Sequence, residues 1–184
     1  MKLTKQWRGV TGYMIKDPDA FFSNYAESHG VGYPLAYMLL TCAVAMVPLG
    51  LLWVGGNLST PSEALLGAGV AVAFGLLLWV QAVVEALVAH GVLYLFGARG
   101  VATTLEAYAF PLVVRFGLWW LPIVNLALGI YGLYLQIKGL SAFHDVSGGK
   151  AAVAAILGLV LYLPTVVVLA AILGAFVLDM GTTV

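Results

Sequence analysis

The chain has 184 residues, 62% of them apolar and only 9% charged, with no formal net charge and a mean hydropathy of +1.03. A soluble domain carries about 25% charged residues, so this composition cannot cover a water-facing surface and reads as an integral membrane protein. The balanced charge and the lack of a basic run exclude nucleic acid as a partner.

Residues 1–32 read as a cytoplasmic segment lying at the membrane interface. Trp7, Val10 and Met14 fall at i, i+3 and i+7 of a helix, leaving Lys5 and Arg8 for lipid head groups. Asp17 can cap a following helix whose first position is Pro18, where a missing N–H costs nothing. That geometry predicts Phe21 and Phe22 at the membrane surface. The first thirty residues show no basic start, apolar run and small-residue cleavage site, so the N-terminus is expected to be retained. Gly30 and Gly32 end this segment and Pro34 opens the first span.

Residues 33–184 read as an all-α bundle of five transmembrane helices. A bilayer core of about 30 Å takes about 20 helical residues to cross. The stretches 35–54, 66–90, 124–140 and 151–178 meet or approach that length. A weaker fifth span, 105–122, contains Glu106, Pro111 and Arg115, and a re-entrant hairpin over 105–140 is its rival. Cys42 lies inside the first span with no partner for an internal disulfide.

Charge orients the bundle. Lys2, Lys5, Arg8, Lys16, Arg99, Lys138 and Lys150, seven of the 8 basic residues, fall on one side of the five-span arrangement. Translocating lysine and arginine is disfavoured, so that side, with the N-terminus, is cytoplasmic and the C-terminus lies outside. Small residues at spacing four (Gly67, Ala71 and Gly75; Ala154 and Gly158; Ala170 and Gly174) mark faces where helices can approach closely.

The polar residues inside this frame are the candidates for function. Glu85 and Arg115 lie within spans, where a charge costs on the order of 3 kcal/mol and is normally paired. They are expected to face each other across the second and third helices. A proton or anion site in a transport path is the functional alternative. His90, Arg99, Glu106, Lys138, His144 and Asp145 belong to one cytoplasmic layer, in which His90, His144 and Asp145 are expected to cluster. Those three are the candidate ligands should a divalent metal bind, although no tight ligand spacing is present. Glu85 and His90 are about 140° apart around a helix and do not share a face. Thr103 and Glu106 read as the start of a capping box, and Asp145 as a turn former. No enzyme signature is present: no HExxH, nucleophile elbow, phosphate loop or dinucleotide glycine pattern occurs. No cofactor is expected.

Three segments carry a resemblance: "DPDAFF", "AHGVLYLFGARGVATTLEAYAFPL" and "IKGLSAFHDVSGGKA". The histidine near the second helix end (His90), the glycine turn (Gly97, Gly100), Thr104 to Pro111, and Gly139 to Ser147 resemble the Yip membrane family of Ypt/Rab-interacting proteins. The resemblance runs from residue 17 to about 160. It implies five membrane helices with a cytosolic N-terminus, in agreement with the charge reading. Eukaryotic members act in vesicle traffic between endoplasmic reticulum and Golgi and bind Rab GTPases, and this chain is similar to a minimal prokaryotic form. The implied role is a membrane-organising or partner-binding module of the cell membrane, or of endomembranes in a eukaryote. Its partners would be lipid, other membrane proteins or further copies of itself. A small transporter or channel using Glu85 and Arg115 is the alternative.

Overall fold

The computed structural model describes residues 3–27, 29–118, 120–162, 164 and 167, and among them every regular element is a helix. In chain order these are α1 (Leu3–Lys16), α2 (Pro18–Asn24), α3 (Gly32–Gly56), α4 (Pro61–Leu95), α5 (Val101–Ala109), α6 (Leu112–Phe116) and α7 (Pro122–His144). They are followed by α8, Gly148–Tyr162. The helices α3, α4 and α7 are long and apolar enough to cross a membrane. With 35 residues, α4 is about 52 Å long, well beyond a hydrocarbon core of about 30 Å, so it tilts or runs past it. The outward faces of these helices are apolar: Leu65 is 75% and Ile123 88% exposed. Such a surface suits lipid and not water.

Neighbouring helices run antiparallel, and their contacts follow small residues. Trp79 Nε1 donates to the Leu35 carbonyl over 3.0 Å, Ala71 faces Gly50, and Gly67 lies against Trp53, so α4 returns along α3. The α5–α6 segment then runs back along α4, with Thr104 beside His90 and Arg115 beside Glu85. α7 ends at the same end as α4, since His144 also meets Thr104. α8 turns back again, with Gly158 against the Glu85 carbonyl and Ala89. The stripes Gly67–Ala71–Gly75 and Ala154–Gly158 thus face neighbouring helices, whereas Ala170 and Gly174 lie outside the described residues.

The stretch 105–122 is not one continuous helix. Pro111 has no N–H and its ring crowds the carbonyl of the preceding turn, so α5 ends at Ala109. A new helix begins on the Pro111 carbonyl, which accepts from Val114 N at 2.9 Å and Arg115 N at 3.2 Å. The chain nevertheless passes from the shared end of α4 and α7 back to the start of α7. The α7 helix is long enough to cross by itself, whereas α5 and α6 are each too short to do so alone. Of the stretch 151–178, the part in α8 is helical and most of the remainder lies outside the described residues.

The N-terminal segment follows its amphipathic pattern but is packed more deeply than expected. Met14 is fully buried, and Trp7 Nε1 donates to Thr41 Oγ1 over 2.8 Å. Thr11 Oγ1 and the Tyr37 hydroxyl are 2.7 Å apart. Asp17 caps α2, accepting from Ala20 N over 3.0 Å. Phe21 and Phe22, expected at the membrane surface, are 3% exposed. Phe21 meets Phe110 edge-on at 5.5 Å and Phe22 packs on Phe143 at 5.6 Å. Asp19 pairs with Lys138 of α7. Two aromatic faces gain more from burial between α5 and α7 than from the interface.

Gly132 and Gly139 set the approach of α7 to this layer. A Cβ on Gly132 would collide with Arg115 Cγ and lie 3.3 Å from Arg115 N. One on Gly139 would lie 3.3 Å from Ala107 Cβ. Gly132→Val is therefore expected to destabilise by about 1–3 kcal/mol through overpacking. Gly129→Val, where nothing lies within 4 Å, should melt like the parent in the same detergent. Equal melting of the two variants would contradict the close approach.

Candidate functional site

A charged centre lies inside the bundle where α4, α6 and α7 meet. The Glu85 side chain is fully buried and that of Arg115 is 10% exposed. Arg115 Nη1 donates to Glu85 Oε1 at 2.8 Å and Oε2 at 3.0 Å. The same nitrogen reaches Gln136 Oε1 at 3.1 Å. Arg115 lies one turn past the break at Pro111, and the absence of a side chain at Gly132 leaves room for its stem. Gln136 was not singled out in the sequence. The signal was there, because it is an uncharged polar residue in the middle of the apolar run "IYGLYLQIKGL". Its Nε2, and the Tyr108 hydroxyl, are buried with no hydrogen-bond partner among the described residues. The Gln136 amide is therefore held by its oxygen alone.

A second polar group ties the ends of α4, α5 and α7. The Thr104 hydroxyl is 2.8 Å from His90 Nδ1 and 2.8 Å from His144 Nε2. The ring centroids are 6.3 Å apart, so the two histidines share one site despite their separation in sequence. A hydroxyl has one proton, so it donates to one imidazole and accepts from the other. Thr104 is fully buried and makes the link that neither histidine makes directly.

Asp145 does not join this group. It is exposed and caps α7 with φ 50 and ψ 44, a left-handed conformation that Asp tolerates. Its backbone N–H is satisfied by the Ser141 carbonyl, in keeping with the turn-forming role. Among the described residues no three His, Cys, Asp or Glu side chains group closely enough to hold a metal ion.

Glu106 also lies elsewhere than the expected capping box. Gly100 occupies the N-cap of α5, and Glu106 Oε1 instead takes the His29 backbone N–H at 3.2 Å. The same oxygen lies 3.0 Å from His29 Nδ1. His29 stacks on Tyr33 with centroids 3.9 Å apart. This pins the connection between α2 and α3 onto α5, a contact spanning 77 residues that no local pattern could reveal. Arg99 leans on the Tyr94 ring at 4.4 Å.

The apolar exterior and the paired intramembrane charges define a helical membrane protein. The Yip1 domain family model matches residues 12–178, and the chain belongs to that family. No curated protein matches it significantly, and neither does any solved structure.

Two outcomes check this site. Glu85→Leu and Arg115→Leu should each destabilise by about 3–5 kcal/mol, because each strands a buried charge, and the double change should recover much of the loss. Parent-like melting of either single variant would show that the pair is not buried. Thr104→Val should cost about 1–3 kcal/mol by leaving His90 Nδ1 and His144 Nε2 without their shared partner. It should also shift the ring nitrogen NMR signals of both His90 and His144, and a shift in one alone would contradict the shared hydroxyl.

Proposed function

We propose that this Yip1-domain protein crosses the membrane five times, with the basic end in the cytoplasm. We further propose that it serves there as a membrane-organising, partner-binding module of the trafficking type. The family match over most of the chain carries the reading. The alternating helix directions support five crossings, with α5 and α6 together making the third. The positive-inside bias supports the orientation. The cytoplasmic end is where α1, α2, the α2–α3 connection and the ends of α4 and α7 join into one packed layer, a rigid platform for a partner or a second copy. The cell membrane, or an endomembrane in a eukaryote, is the proposed location.

The charged centre supports a structural role over transport. Arg115 already meets both Glu85 oxygens and Gln136, so a passing ion or solute would have to break three hydrogen bonds. The protein is proposed to act without catalysis or a resident cofactor.

Reporter fusions test the threading. A reporter after Val184 should read as external, and reporters within 97–100 or 147–149 as cytoplasmic. A cytoplasmic C-terminus would remove one of the five crossings. Purification in mild detergent should retain a protein partner or a second copy. In liposomes, ion flux that depends on Glu85 would favour transport instead.

A further inference from the structure

A cleft of about 330 Å³ opens between α1 and the connection from α2 to α3, lined by Lys5, Tyr13, Asn24, Tyr25, Glu27 and Tyr33 among others. It lies outside the charged centre and the Thr104 group. Its two walls differ in charge. The α1 wall carries Lys5, and α1 has no acidic residue along its length. The opposite wall carries Glu27 next to the tyrosines, with its side chain 70% exposed and its Oε2 3.5 Å from His29 Nε2. Burial first, and then the negative charge of Glu106 and other neighbours including Glu27, push the Tyr25 phenol well above the usual value. That end is aromatic and electronegative, which suits a cation over an anion.

The tyrosines are held in place. Tyr25 packs on Phe21 at 5.4 Å and on Phe110 at 5.1 Å. Its hydroxyl is 3.2 Å from His29 Nδ1. Tyr33 stacks on His29, and Tyr13 meets Phe21 edge-on at 5.7 Å while staying 45% exposed. Aromatic faces beside a carboxylate are the chemistry that receives ammonium groups. A lysine ammonium is the chemistry that receives a phosphate diester. Tyr33 is the second residue of α3, so the cleft lies where a membrane helix begins, at head-group level.

We infer that this cleft binds the zwitterionic head group of a phospholipid, with its phosphate toward Lys5 and its ammonium between Tyr13, Tyr25, Tyr33 and Glu27. The site distinguishes such lipids from phosphatidylglycerol because the glycerol head group brings no ammonium to the tyrosines and Glu27. It also gives the cytoplasmic layer a lipid contact independent of any protein partner.

Native mass spectrometry of the full chain, released from detergent with equal amounts of phosphatidylethanolamine and phosphatidylglycerol of identical chains, tests this. The parent should carry severalfold more phosphatidylethanolamine. Tyr13→Ala, Glu27→Lys and Lys5→Glu should each cut that adduct by about two- to fivefold, the range of one exposed cation–π or ionic contact. All three side chains are exposed, so melting should be unchanged, which separates lost binding from lost folding. Glycerophosphoethanolamine, which has no acyl chains, should compete with the lipid if the head group is what is recognised. Equal adducts of the two lipids, indifference to Glu27→Lys, or no competition by the chain-free head group would each overturn the assignment.

Discussion

The ion pair between Glu85 and Arg115 is the constraint on which the rest of the bundle depends. Neither charge could remain in a low-dielectric interior alone, and each sits on an element whose course would otherwise be different. α4 supplies Glu85 from a long, unbroken helix. Arg115 comes from the least regular segment, where Pro111 has interrupted the backbone ladder. That break frees polar groups which lipid cannot satisfy, and α3 and α7 pack against the short helices on both sides of it. Gln136 supplies the third acceptor and Gly132 the space. Helices 4, 6 and 7 are thus joined by one guanidinium, and the position of α7 fixes where its end meets α4 and α5.

From that centre toward the basic end, side-chain hydrogen bonds and aromatic contacts tie the layer together. Thr104 links two histidines on two further helices. His29 ties the α2–α3 connection to Glu106, Asp19 reaches Lys138, and Phe21, Tyr25, Phe110 and Phe143 form a continuous aromatic cluster. Toward the opposite end, α3 and α4 approach each other closely at Gly50, Gly67 and Gly75.

Much of this was legible in the residues. Hydropathy runs locate α3, α4 and α7 because lipid imposes length and composition on every crossing helix. The stripe Trp7–Val10–Met14 and the Asp17–Pro18 start are local patterns, and local patterns survive in the fold. The Glu85–Arg115 pairing was readable because two costly charges in neighbouring spans leave few alternatives. Other features depend on contacts distant in sequence. Phe21 and Phe22 look like interfacial anchors until α5 and α7 close over them. Glu106 satisfies a capping spacing, yet His29 claims it from across the layer. Asp145 sits one residue after His144, but it is exposed and forms the left-handed cap of α7. Gln136 was passed over because an uncharged side chain costs less in a membrane helix than a charge does. Pro111 signalled a weak span, and in the structure it marks the break one turn before Arg115.

Solid-state NMR in lipid bilayers can measure the centre directly, as the dipolar distance between the Glu85 carboxylate carbon and the Arg115 guanidinium nitrogens. A hydrogen-bonded pair predicts a carbon–nitrogen separation of about 3.5–4 Å. A separation beyond about 6 Å would mean the two charges find water or head groups instead, and the account of the bundle built on their pairing would be wrong.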